Sequence, residues 1–85
     1  MLHTATMPSR MTSMREPTAA QITARERIIW LHREAGIPIA ELARRMKTSA
    51  SRVSLWVNGH ETPSPMSAER IERVYLDELS RRQAN

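Results

Sequence analysis

The sequence predicts an all-α fold: a small bundle of four or five short helices behind a flexible N-terminal arm. Three observations predict it. Apolar residues recur at i, i+3, i+4 and i+7 in successive segments. No stretch alternates apolar and polar residues as a half-buried strand does. Residues that stop and start helices fall between the segments: Gly36 before Pro38, Lys47-Thr48 before Ser49, and Asn58-Gly59 before Ser64-Pro65.

Residues 1–17 have no apolar period and contain Pro8 and Pro17, so they read as a disordered arm. The domain is expected over 18–82, with 83–85 as a tail. Thr23 followed by Glu26 matches a capping box, and Ile28, Leu31 and Ala35 repeat at helical spacing, which predicts a first helix over about 23–35. Gly36 stops it, because glycine takes the left-handed conformation that other residues resist.

Pro38 suits the first position of a second helix, since its φ is already helical and its missing N–H would be unpaired there. That helix runs to Met46, with Ile39, Leu42, Ala43 and Met46 inward and Arg44 and Arg45 consequently outward. Ser49 can cap a third helix, about 49–58, by accepting from the N–H of Ser51 or Arg52. Asn58-Gly59 ends it. Ser64 as cap and Pro65 as first residue open a fourth helix with a stripe of Ile71, Val74, Tyr75 and Leu79.

Eighty-five residues leave room for one core. Trp30, Trp56 and Tyr75 are its only aromatics, so Ile, Leu, Val, Met and Ala must fill it. The absence of Cys excludes disulfides and thiolate metal sites. No secretory signal or long apolar run is present, so a cytoplasmic protein without a membrane partner is expected. His3, His32 and His60 lack ligand spacing, and two glycines cannot build a phosphate-cradling loop. Neither an enzyme nor a cofactor is indicated.

The net charge of +4 is unevenly spread. Segment 38–60 carries +3, from Arg44, Arg45, Lys47 and Arg52 against Glu41, while 61–85 sums to −1. A polyanion-binding surface is therefore expected in the middle of the chain. Two short helices joined by a three-residue turn are the geometry in which one helix crosses a DNA backbone and the next enters the major groove. Such a pair needs a small residue where the helices cross and apolar ones where they close on the core, and Ala43, Leu42, Met46, Val53 and Trp56 answer that description.

The stretch LARRMKTSASRVSLWVNG resembles the helix-turn-helix of the lambda repressor and Cro class and its wider XRE-like family. Leu42, Ala43, Ser49, Val53 and Trp56 stand at the family's separations, and REAGI at 33–37 resembles its approach to the second helix. The likeness covers about 25–75. Lys47 stands where the family often has Gly, which implies a variant turn, and Ile39 replaces a frequent Gln.

What the resemblance implies is a double-stranded DNA partner, with Ala50, Ser51, Arg52 and Leu55 reading bases and Ser49 and Asn58 touching phosphates. Arg44, Arg45 and Lys47 supply charge toward the backbone. Arg10 and Arg15, on the arm, are candidates for the neighbouring minor groove. With Arg52 the only strong donor, the site is expected to have at most one well-read G per half. Trp30 packs on the fourth helix or the arm, or else joins Leu76 and Leu79 in a dimer surface; a homodimer on a partial palindrome is expected. The function so implied is a bacterial or phage transcriptional regulator, a repressor. The alternatives are a DNA-binding antitoxin with a protein partner, and a helical interaction module that does not bind DNA.

Overall fold

Thr18, rather than Thr23, opens the first helix in the computed structural model, which describes residues 16–84. The Thr18 hydroxyl accepts from the Gln21 amide at 3.2 Å, and Gln21 Oε1 accepts from the Thr18 amide at 2.8 Å. This capping box lies one turn and more before the expected one. A Gln serves as well as a Glu in the return bond, and Gln21 has a further tie, its Nε2 donating to the Pro63 carbonyl at 2.8 Å. Helix α1 is therefore Ala19–Arg33. At its end the amides of Glu34 and Ala35 both bond the Trp30 carbonyl, and Gly36 turns the chain at φ 76°. His32 Nδ1 lies 2.9 Å from the Ile37 carbonyl and braces that turn.

Helix α2 is Ile39–Met46, with Pro38 as its N-cap and not its first residue: ψ of 149° keeps Pro38 extended while its carbonyl accepts from Leu42. Lys47 closes α2 in the left-handed conformation, φ 59° and ψ 48°. The turn expected to be a variant is thus made with the backbone shape glycine favours; only the residue differs. Helix α3 is Ala50–Val57, capped by Ser49, whose Oγ accepts from the Arg52 amide at 3.1 Å. Helix α4 is Pro65–Ala84 and continues beyond residue 82; Ser64 Oγ accepts from the Ser67 amide at 3.2 Å. Among the described residues there is no strand.

The four helices close on one apolar core. It consists of Ala24, Ile28 and Leu31 from α1, Ile37 from the turn, Leu42, Ala43 and Met46 from α2, Val53, Trp56 and Val57 from α3, and Ala68, Ile71 and Val74 from α4. Among the described residues no polar or charged residue is buried in it. α1 packs along α4, and α2 packs on α3. Trp30 takes the first of its two expected roles: its ring meets Tyr75 edge-on, centroids 5.6 Å apart, and the Arg82 guanidinium lies 5.2 Å from its centre. Arg27 pairs with Glu72 beside it and covers the Tyr75 ring at 4.4 Å. The seam between α1 and α4 is thus aromatic in its middle and charged at its edge, an arrangement in which cation–π attraction adds to burial.

Candidate nucleic-acid interface

The left-handed turn at Lys47 and the Ser49 cap fix how α3 leaves α2. Val53, Trp56 and Val57, all but inaccessible, hold one side of α3 on the core. At 100° per residue the opposite side must face outward. Ala50, Ser51, Arg52, Leu55 and Asn58 are all exposed, so the four residues expected to read bases share one uncovered flank. Leu55 is notable there, an apolar side chain left 40% exposed.

Two of these side chains, and the Ser49 cap beside them, have internal partners. Arg52 Nη1 lies 3.6 Å from Glu61 Oε1. Ser49 Oγ accepts from the helix, which leaves its hydroxyl hydrogen for an outside acceptor. Asn58 Nδ2 donates to the carbonyl and the hydroxyl of Ser54, at 2.9 and 3.1 Å, so its donor is folded back against α3. Past Asn58, Gly59 at φ 78° lets the chain reverse, and the amides of His60 and Glu61 both bond the Leu55 carbonyl. That reversal brings Glu61 alongside the flank.

The basic residues of α2 divide. Arg44 is exposed over most of its side chain and pairs with Glu41 one turn back; Lys47 is exposed on the turn. Arg45 does not point outward as its register suggested. Its guanidinium reaches Glu41 at 3.0 Å and Glu78 of α4 at 3.5 Å, and its Nη1 is sealed from solvent. Glu78 is itself only 14% exposed in its side chain, and Arg45 and Arg82 flank it from either side of its carboxylate, so the charge it carries away from water is paired. Arg45 holds α2 to α4. Arg10 and Arg15 lie outside the described residues.

Two features escaped the sequence reading. Glu61 falls between the third and fourth helices and Arg70 on the fourth, with no local pattern to single out either, yet Arg70 Nη1 donates to the Met46 carbonyl at 3.2 Å across 24 positions. Among the described residues no group of three His, Asp or Glu is placed to hold a metal ion, and no helix is long and apolar enough to cross a membrane. A family model described as Helix-turn-helix matches residues 31–75, from the last turn of α1 to the middle of α4. No curated protein and no solved structure matches the chain.

Proposed function

The chain belongs to the Cro/C1-type, XRE-like helix-turn-helix family and is a DNA-binding protein; from that membership we propose that it is a sequence-specific transcriptional repressor whose α3 enters the major groove of an operator. The observation that supports this most is the uncovered flank of α3, where Ala50, Ser51, Arg52 and Leu55 are exposed together while Val53 and Trp56 anchor the other side.

In this reading Arg52 reads a guanine through its paired N–H groups, and Leu55 and Ala50 pack on thymine methyls. Arg44, Lys47 and the Ser49 hydroxyl meet phosphates on either side, and Arg10 and Arg15 reach the adjoining minor groove. Residues 18–82 carry the binding, and two copies meet on a partly palindromic site through a surface that includes Leu76, 52% exposed on α4. Symmetry then places two α3 helices about one turn of DNA apart. Bound over a promoter of a bacterium or phage, in the cytoplasm, the protein excludes polymerase. The family is typically non-enzymatic.

The test is a footprint of the purified chain on DNA immediately upstream of its own gene. One protected, partly palindromic stretch is expected, with log affinity falling linearly with log salt. Protection no stronger there than on unrelated DNA, or affinity indifferent to salt, would overturn the reading.

A further inference from the structure

Most arginines of the described chain have an acid beside them. Arg27, Arg44, Arg45, Arg52, Arg81 and Arg82 each lie within 4.0 Å of a carboxylate. Arg25, Arg33, Lys47, Arg70 and Arg73 do not, and the last three line one cleft of about 420 Å³ between the turn after α2 and the outer side of α4. Arg45 lines it too, but Glu41 and Glu78 already balance its charge. The one acid in the lining is Glu69. It stands four residues before Arg73, the favourable order for a helical ion pair, yet no such pair forms.

Three like charges around one small concavity focus a positive potential there, which raises the local concentration of anions. Arg70 is also held in place, since its Nη1 donates to the Met46 carbonyl. That bond covers the negative end of α2, which would otherwise oppose an anion. A guanidinium has five N–H donors, so most remain for a ligand. We propose that this cleft is a phosphate-binding site, in which Lys47, Arg70 and Arg73 hold the oxygens of a phosphate group.

The chemistry admits two sources, a free phosphate ester and a phosphodiester of DNA beyond the stretch read by α3. A phosphate bridging Lys47 to α4 would in either case stiffen the turn that sets the angle of α3. The proposal concerns a cleft separate from the α3 flank, sharing Lys47 with the proposed DNA contacts, and it stands whether or not α3 reads bases.

The experiment titrates the full chain with pyrophosphate, against sodium chloride at matched ionic strength, and follows the Nε–Hε NMR signals of Arg70 and Arg73. Saturable shifts are expected with pyrophosphate alone. Lys47→Gln with Arg73→Gln should weaken binding about tenfold or more, as for loss of two charge-assisted bonds, while Arg70 stays to keep the Met46 bond and report on the site. Arg25→Gln with Arg33→Gln, which removes the same charge elsewhere, should leave it unchanged. A second arm compares affinity for a bound duplex with one extended by several base pairs at each end. A pyrophosphate response with no effect on DNA of Arg73→Gln alone, which leaves Lys47 in place for the operator phosphates, assigns a free phosphate ester. A loss confined to the extended duplex assigns the DNA backbone. Shifts no greater than chloride produces, with no loss on the extended duplex, would overturn the site, as would equal weakening by the R25Q/R33Q control. Failure of Arg52 variants to alter base preference would count against the reading of α3 alone.

Discussion

Glu61 holds its carboxylate 3.6 Å from the Arg52 guanidinium, at the edge of the flank that carries the reading residues. The acid is placed there by backbone bonds from His60 and Glu61 to the Leu55 carbonyl, so its position follows from the end of α3. Both side chains are about half exposed, and pairs of that kind contribute about 0–1 kcal/mol to stability. The effect on DNA should be larger than the effect on folding.

Glu61→Gln removes a negative charge from a surface that meets phosphates. Affinity for random duplex is expected to rise about two- to fivefold at low salt and to converge on the wild type as salt screens the charge. Melting temperature should hardly move. Gel-shift titrations at two ionic strengths check this, and an unchanged affinity at both would place Glu61 away from the DNA.

Arg44 and Arg45 are neighbours with opposite fates. Arg44→Ala is expected to weaken binding to every sequence by a similar factor and leave stability within about 0.5 kcal/mol, as for an exposed surface residue. Arg45→Ala removes the bridge between α2 and α4, leaving Glu41 to Arg44 alone and the nearly buried Glu78 to Arg82 alone, and should cost about 1–2 kcal/mol of stability. Urea denaturation of the two variants separates them. Equal stability of both would mean that the Arg45 bridge between α2 and α4 does not form in solution.

That contrast also marks what could be read in the sequence. The cores of all four helices were legible, because Ile28 with Leu31, Leu42 with Ala43 and Met46, Val53 with Trp56, and Ile71 with Val74 repeat at helical spacing. So was the exposed flank of α3, which is the complement of that repeat. The Thr18 box was missed because Thr23 and Glu26 make the same local pattern, and only the distant Pro63 carbonyl favours the earlier one. Arg45 was misjudged because its partner Glu78 lies 33 positions away, and periodicity carries no information about which acid a long side chain will meet. Segment 61–85 sums to −1, which hid Arg70 and Arg73 among acids of which only Glu69 shares their cleft.

Lys47 occupies the left-handed region with a Cβ attached, a conformation that costs about 1–2 kcal/mol for most L-residues. Lys47→Gly relieves it against a backbone-entropy cost of about 0.5–1 kcal/mol. A net gain of about 0.5–1 kcal/mol is expected, raising the melting temperature by roughly 2–8 °C. Lys47→Ala keeps the Cβ and should show little of the gain. Thermal unfolding of the pair decides it; a Gly variant no more stable than the Ala variant would mean that the left-handed turn carries no strain.

Trp56 is the largest fully buried side chain, yet its Nε1 is sealed from solvent without a hydrogen-bond partner. A buried N–H left unpaired costs about 1–3 kcal/mol, while the ring's packing contributes more, since Trp→Ala in a core typically loses about 3–5 kcal/mol. The two terms separate by substitution. Trp56→Phe removes the N–H and shortens the ring, so relief and cavity nearly cancel, and stability should change by less than about 1.5 kcal/mol. Trp56→Ala keeps only the cavity and should remove most of the stability of so small a domain. DNA affinity of the Phe variant should match the wild type, because the α3 flank keeps its anchor. A loss of more than about 1.5 kcal/mol in the Phe variant would show that Nε1 is satisfied in solution, by a water or by movement of α3.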